Sequence, residues 1–317
     1  MSSARLALKV HDPAAATGFP LADLMERYAT AHPLLKPNSR QQLQNVLNSA
    51  IAWGAVTCDD IFSLDSFERW QAWIAKTPKR RGAGPGQLRS PRTIKGRRDS
   101  LWTLWKFAKR RGLCDEPPPD WEDLAPIECP REDPVAWDVD EMKQIIAQCR
   151  QARTIGAWGP DHWQSLVETI WYTAERIGDG NKGLLSCRPD DLRGNVLYLP
   201  ASRTKDKKPG VHRLPAELCD LIRRGATPEA LWPWPFGIGA LRENYRKGVL
   251  KALGLPTSSK HLFHCLRRSS ITEVENVAGR EAAQAHGRHS TSSMTERYVS
   301  KRLSRGHSAA QQLPSIR

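Results

Sequence analysis

The chain has 317 residues, of which 39% are hydrophobic and 26% charged, as is typical of globular proteins, and it is long enough for two domains. A net charge of +14 predicts a polyanionic partner, either nucleic acid or an anionic membrane surface. We find no signal peptide and no run long enough to span a membrane, so we expect nucleic acid and no membrane. Seven cysteines without a C-x-x-C pair predict reduced thiols and a cytoplasmic location.

The N-terminal third is predicted to be an arm followed by a helical domain. Residues 1–19 lack periodicity, and we expect them to be a flexible arm. Within residues 20–113, apolar residues recur at helical spacing in four segments, and no strand pattern occurs. We predict these four helices around residues 21–28, 43–51, 61–74 and 93–111.

Positive charge is concentrated in one part of this helical domain. Residues 76–111 contain thirteen Lys or Arg and a single acidic residue, Asp99. A charged run is usually only a solvated helix face, but this density favours contacts to DNA phosphates, which position a protein without reading sequence. The residues expected to make these contacts are Lys79, Arg80, Arg81, Arg89, Arg92, Lys95, Arg97 and Arg98.

The second half predicts a different architecture. Residues 114–134 contain six prolines and several acids, which is typical of an interdomain linker. Residues 135–305 then combine helical patterns with one β-hairpin, whose strands at 196–199 and 211–214 flank a basic turn. The predicted fold class is therefore mainly α with a small β-hairpin, followed by a polar tail at 306–317. Further helices are expected at residues 138–149, 162–176, 241–253 and 292–303.

One segment concentrates side chains that can attack a phosphodiester. His264 and Arg267, three residues apart, share one face of a helix. His289 follows in a later turn, and Tyr298 lies nine residues after it. Together they provide a phosphate clamp, two proton carriers and a hydroxyl nucleophile, a set that needs no metal.

These residues also resemble a known family. His264-Cys265-Leu266-Arg267-Arg268, then Gly287-Arg288-His289-Ser290, and Tyr298 are similar to the C-terminal signature of the tyrosine recombinases, or phage integrases. Upstream, residues 173–179 resemble the family's Thr-Gly-x-Arg motif, and residues 202–205 resemble its hairpin lysine. The resemblance implies a two-domain DNA clamp, with a core-binding domain at 20–113 and an α+β catalytic domain at 135–305.

The resemblance further implies a site-specific recombinase that cuts and rejoins DNA through a 3′-phosphotyrosine, without metal, ATP or any other cofactor. Tyr298 is the nucleophile in this reading, and Arg176 and Arg267 hold the phosphate, since a guanidinium can bond two oxygens at once. The partners that it implies are double-stranded DNA, three further copies of the chain in a DNA-assembled homotetramer, and accessory DNA-bending proteins.

The remaining roles are implied in the same way. Lys205 protonates the leaving 5′ oxygen, and its neighbours Lys207 and Lys208 are rivals for that role or DNA contacts. His264 accepts the proton from the tyrosine, and His289 donates a hydrogen bond to the phosphate. Asp179 orients an active-site side chain.

The sequence departs from the family pattern at two places. Ala174-Glu175 stands where the first motif has Gly-x, so that Glu175 brings a negative charge beside the clamp. Gly287-Arg288-His289 stands where the family has Leu-Gly-His, which makes His286 a rival of His289, although the spacing to Tyr298 favours His289.

Three other functions compete with the recombinase. The first is an impaired relative that only binds DNA, and the second is a type IB topoisomerase that relaxes supercoils. The third is a zinc site built from His261, His264, His286 and His289. We disfavour zinc because no cysteine or carboxylate joins these histidines at ligand spacing.

Overall fold

The structure is a computed structural model that describes residues 18–78, 86–130 and 132–304. It divides into two compact units between residues 131 and 132. Nearly all of the predicted arm, the tail at 306–317 and the predicted DNA contacts Lys79, Arg80 and Arg81 lie outside the described residues. Within the described ranges, no helix is long and apolar enough to cross a membrane.

The first unit is helical, with sharply defined helix starts. Thr57, Ser63 and Ser90 each accept a backbone N–H from the first turn of the helix that follows, which satisfies a donor that lacks an intrahelical partner. The helix predicted at 61–74 begins at Leu64 instead, after the cap Ser63, and Ile61 is the last residue of a separate short helix. The helices are α1 Leu24–Ala31, α2 Pro37–Trp53, α3 Cys58–Ile61, α4 Leu64–Lys76 and α5 Pro91–Arg110.

Much of the predicted linker packs on this first unit. The indole of Trp105, fully buried, donates to the carbonyl of Glu116 at 2.9 Å, and Trp102 donates to the carbonyl of Pro119 at 3.3 Å. Leu124 is buried in the same core. The proline-rich composition therefore marks a segment that is extended but anchored, because tryptophan N–H groups bond its carbonyls.

The second unit confirms the predicted fold class, being mainly helical with a small antiparallel sheet. The sheet has three strands in the order β1-β2-β3 and pairs Leu197 with His212 and Leu199 with Gly210. Its first strand, of two residues, was too short to predict. The elements are α6 Val139–Cys149, α7 Pro160–Thr173, β1 Leu192–Arg193, β2 Val196–Leu199, β3 Gly210–Arg213, α8 Ala216–Gly225, α9 Ile238–Tyr245, α10 Phe263–His286 and α11 Ser292–Glu296.

Helix α11 is shorter than the sequence predicts, and the prediction of a helix through residue 303 is wrong. The carboxylate of Asp133 accepts the backbone N–H groups of Lys301 and Arg302 and the hydroxyl of Ser300. The N–H of Ser300 is taken by the hydroxyl of Thr272 at 3.1 Å. Because these donors bond outside the helix, the chain turns after Glu296, and Tyr298 lies in that turn.

Candidate active site

Arg267 is the buried centre of the candidate site. It lies in the second turn of α10 and is 2% exposed. Its guanidinium donates to the carbonyl of Ala174, just after α7, and to the carbonyl of Gly287, just after α10, the latter at 2.6 Å. One side chain thus joins the segment that leads to Arg176 with the turn that leads to His289.

Three of the predicted residues surround the ring of Tyr298. The ring centroids of His289 and His264 lie 4.4 Å and 5.2 Å from that of Tyr298, and the guanidinium carbon of Arg267 lies 5.3 Å from it. Gly287 permits the approach of His289, because a Cβ at this position would lie 2.8 Å from the imidazole ring. The chain therefore brings two histidines and an arginine against one phenol.

The two arginines act directly on the phenolic hydroxyl. Burial alone would raise the pKa of Tyr298, but the charges of Arg267 and Arg176, with hydrogen bonding from both, outweigh it and lower the pKa. Burial and repulsion from Arg176 lower the pKa of Arg267 itself to about 10. A buried arginine with a lowered pKa beside a second cation is typical of a site that receives an anion.

The histidines of the site are held neutral. Burial and then the charges of Arg267 and Arg176 lower the pKa of His289 to about 4. The pKa of His264 is also lowered to about 4, by partial burial and by four neighbouring cations, of which Arg268 acts most strongly. The Nε2 of His289 lies 3.4 Å from a guanidinium nitrogen of Arg267, which can only donate. The proton of neutral His289 therefore sits on Nδ1, which faces the hydroxyl of Thr295 at 3.1 Å.

His286, the rival of His289, points elsewhere. Its Nε2 donates to the hydroxyl of Ser270 at 2.6 Å, because that hydroxyl gives its own proton to the carbonyl of Trp171. Burial is the largest cause that lowers its pKa to about 4. His286 thus supports α10 against the end of α7 rather than lining the phenol.

We expect these histidines to make the protein sensitive to mild acid. The folded pKa values of His286 and His289, about 4, lie below the ordinary value of 6.5. The unfolded chain therefore binds protons first, and stability present above pH 6.5 is lost as pH falls towards 4. The loss of unfolding free energy should approach about 1 kcal/mol per pH unit for each histidine.

Urea unfolding between pH 7.5 and 5 measures this loss. The variant His286→Gln, which keeps a donor but cannot titrate, should show a smaller dependence of the unfolding free energy on pH. A pH-independent midpoint would contradict buried neutral histidines.

Arg176 and Lys205 reach the site from loops. Helix α7 is capped at its C-terminal end by Ala174, which has a left-handed conformation, and Arg176 follows two residues later. The carbonyl of Arg176 accepts the N–H of Leu184 at 3.0 Å. Lys205 is exposed in the loop between β2 and β3, and its charge contributes to the lowered pKa of His264. Lys207 and Lys208 are exposed in the same loop, but they are not among the cations that act on His264.

The acidic residue with contacts in the candidate site is Glu175, not the predicted Asp179. Asp179 is exposed, and within the described residues its side chain forms no hydrogen bond or ion pair, so an orienting role has no contact to support it. The preceding carboxylate, Glu175, is instead buried and bonds His212 at 3.0 Å and Arg288. Sequence reasoning missed Arg288. The available signal was that the two departures from the family motifs, Glu175 and Arg288, carry opposite charges.

The four histidines of the disfavoured zinc alternative do not converge. His261 faces the hydroxyl of Ser258 at 2.8 Å, whereas His286 bonds Ser270. Within residues 18–78, 86–130 and 132–304, no three His, Cys, Asp or Glu lie close enough to hold a metal ion.

The predicted DNA contacts of the first unit separate into two groups. Arg98 is buried, donates to the carbonyl of Ala125 at 2.6 Å and lies over the ring of Trp121, so the prediction that it contacts phosphate is corrected to a structural role. Arg89 bonds carbonyls at the end of α4. Of the remaining described candidates, Arg92 is exposed, while Lys95 and Arg97 are half-buried.

Comparisons with known proteins identify the fold. No protein-family model and no curated protein match the sequence. A lambda integrase dimer bound to a COC′ core site is 17% identical with a TM-score of 0.67, covering 98% of this chain and 85% of that one. The Tn1549 transposon integrase in complex with a circular intermediate DNA is 15% identical with a TM-score of 0.64, covering 89% and 95%. A lambda integrase tetramer bound to a Holliday junction is 16% identical with a TM-score of 0.66, covering 90% and 79%.

Proposed function

Because the chain has the tyrosine recombinase fold, we propose that it is a site-specific DNA recombinase that cuts and rejoins strands through a 3′-phosphotyrosine. One observation carries the proposal: Arg267, His264 and His289 surround the ring of Tyr298, and the charges of Arg267 and Arg176 lower its pKa. A phenol is a poor nucleophile at its ordinary pKa and needs such activation. The same two arginines would bond the non-bridging oxygens of the phosphate.

In the proposed reaction one phosphoester bond is exchanged for another, and each proton that leaves one group is accepted by another. The oxygen of Tyr298 attacks phosphorus and its proton passes to His264, which is neutral at pH 7 and free to accept it. The bond from phosphorus to the 5′ oxygen breaks, and Lys205 protonates that oxygen. Neutral His289 donates to the phosphate as the Nε2–H tautomer, in which Nδ1 accepts from the hydroxyl of Thr295. Attack by a 5′ hydroxyl reverses these steps, so no external energy source is required.

The proposed partner is double-stranded DNA, assembled with four copies of the chain. The net charge of +14 favours a polyanion, and Arg92, Lys95, Arg97, Lys207 and Lys208 are the described cations offered to phosphates. The similar lambda and Tn1549 structures are integrases on DNA, one of them a tetramer on a Holliday junction. Accessory DNA-bending proteins belong to the same proposal.

Trapping of the covalent intermediate tests the function without knowledge of the target site. Duplexes with a randomised core and a single nick lose the short strand after cleavage, so religation is prevented. We expect wild-type protein to form an adduct that survives denaturation, and sequencing of the adducts identifies the target. Trypsin cuts after Arg297 and Lys301, so the DNA should map to the peptide Tyr298–Lys301. An adduct on another peptide would refute the mechanism.

The two competing functions give different outcomes of the same experiment. A protein that retains duplexes on a filter but forms no adduct with any library member is an impaired, DNA-binding relative. A protein that relaxes supercoiled plasmid without sequence preference, and whose adducts share no sequence, acts as a type IB topoisomerase. Recombination instead requires a common captured sequence and strand exchange between two copies of it.

A further inference from the structure

Glu175 and Arg288, the two departures from the family motifs, are bonded to each other. An oxygen of Glu175 accepts from a guanidinium nitrogen of Arg288 and from His212 Nε2, the latter at 3.0 Å. The side chains of Glu175 and Arg288 are 6% and 16% exposed, so the pair is largely shielded from water. The attraction between the two charges is therefore less screened than at the surface, and loss of either partner would leave a buried charge unpaired.

The charge of Glu175 is matched within this cluster. Burial opposes ionisation, yet the hydrogen bond from His212 and the charge of Arg288 outweigh it and lower the pKa of Glu175 to about 2. The carboxylate is thus ionised at any working pH. Its bonded oxygen, Oε1, is directed to Arg288 and His212.

The other end of Arg288 reaches the loop that carries Lys205. Its Nη2 donates to Oδ1 of Asp206 at 2.9 Å and to the carbonyl of Lys208. The hydroxyl of Thr204 closes the loop from within by donating to the same carbonyl at 2.8 Å. Arg288 therefore bonds the residue next to Lys205 and the residue three positions after it.

Two backbone features show that this arrangement is closely fitted. Arg288 has a φ of 52°, a left-handed conformation that costs a non-glycine residue about 1 kcal/mol or more. At Gly210, where β3 begins, a Cβ would lie 2.7 Å from Nη1 of Arg288 and 2.9 Å from Oε1 of Glu175. An arginine persists at a strained position because its surroundings hold it there.

We propose that Arg288, held by Glu175, is the positioning residue for Lys205 and places its ammonium where it protonates the leaving 5′ oxygen. Glu175 directly precedes Arg176, and Arg288 directly precedes His289. The pair thus fixes the lysine loop to the same two segments that Arg267 joins. The inference rests on the proposed function and adds to it the group that sets the general acid.

The test compares two substrates that differ in one atom. One is a nicked duplex with the target sequence identified by trapping. The other is the same duplex with sulfur in place of the leaving 5′ oxygen. A thiolate leaves without being protonated, so a defect in the general acid disappears on the sulfur substrate while a defect in the arginine clamp remains. Arg288→Gly is the main variant, because glycine accepts a positive φ and the backbone strain is relieved. Glu175→Gln removes only the charge of the partner.

We expect Arg288→Gly to cut the oxygen substrate about 10-fold to 100-fold more slowly than wild type and the sulfur substrate at nearly the wild-type rate. Lys205→Ala should show the same pattern with a larger loss, and Glu175→Gln a smaller one. Arg223→Ala is the matched control, because Arg223 also bridges a carboxylate, Asp220, and a carbonyl, Gly194, but at the β1–β2 turn. Equal losses on both substrates, or no loss on either, would overturn the assignment.

A second measurement does not depend on cleavage. Amide hydrogen exchange at residues 204–208 should accelerate in Arg288→Gly and Glu175→Gln and stay unchanged in Arg223→Ala, because only the first two release the loop. Unchanged exchange in all variants overturns the positioning role even if wild type cleaves DNA. Faster exchange in a chain that cleaves neither substrate means that the proposed recombinase function has failed, and the inferred role of Lys205 fails with it.

Discussion

Tyr298→Phe is expected to abolish the covalent protein–DNA adduct while leaving the fold and DNA retention intact. The substitution keeps the ring that contacts His264, His289 and Arg267 and removes only the hydroxyl on which both arginines act. Without an attacking oxygen, adduct formation should fall by about 10⁴-fold or more. The measurement is the yield of adduct from the captured nicked duplex, with retention of the uncut duplex on a filter measured in parallel.

The control for this variant is Tyr172→Phe. Tyr172 lies on α7 in the same unit, is 46% exposed and is not among the groups that shift the pKa of Tyr298, His264 or His289. Loss of its hydroxyl should leave the adduct yield unchanged, and both variants should melt within about 3 °C of wild type. If Tyr298→Phe still forms adducts, another side chain is the nucleophile. If it no longer retains DNA, the hydroxyl serves binding rather than attack.

The helices and the hairpin could be predicted because their signals are local. Apolar residues at helical spacing mark the helices of the first unit, although the prediction did not use their caps Ser63 and Ser90. Alternation around residues 196–199 and 211–214 located β2 and β3 within one residue. The end of α11 could not be predicted in this way, because it is set by Asp133, which is distant in sequence.

In the candidate site too, residues with a local sequence signal could be predicted and long-range contacts could not. The motif residues Arg176, His264, Arg267, His289 and Tyr298 have fixed spacings, and the structure brings them together. Their roles in catalysis stay predictions. The partner of Glu175 was hidden from sequence reasoning, because a contact across 113 residues leaves no periodic pattern.

The basic run at residues 76–111 includes arginines that bond the first unit itself. Arg98 and Arg89 belong to a run whose density favours DNA contacts, yet both are bonded to carbonyls of their own unit. An arginine stem packs against apolar surface while its guanidinium bonds backbone oxygens, so charge alone does not separate a phosphate contact from a structural bond.

Arg267→Lys is expected to reduce adduct formation by about 10²-fold to 10³-fold although it keeps the positive charge. The planar guanidinium of Arg267 donates to the carbonyls of Ala174 and Gly287 and faces the phenol of Tyr298 at the same time. An ammonium is a compact charge that cannot reproduce this fork. At least one buried carbonyl should lose its partner, which lowers the free energy of unfolding by about 1–3 kcal/mol.

The pKa of Tyr298 provides a reading of Arg267 that does not require cleavage. The charge of Arg267 is the largest of the effects that lower this pKa, while burial acts in the opposite direction. In Arg267→Met, which keeps an apolar stem, burial remains and the charge is gone, so the pKa should rise above its wild-type value. Titration of protein labelled with ¹³C at the phenolic carbon of tyrosine, compared with Tyr298→Phe to assign the signal, measures the change.

Arg246→Lys separates a role in catalysis from the general loss of a guanidinium. Arg246 also donates to a backbone carbonyl, that of Thr257 at 2.9 Å, and lies in the same unit. Its replacement should cost stability but not adduct yield. If Arg267→Lys behaves in the same way, Arg267 is only a structural bridge. Burial and repulsion from Arg176 both disfavour the charge of Arg267, a cost that is offset when an anion enters between the two guanidinium groups. A selective loss of cleavage would mean that this anion is the scissile phosphate.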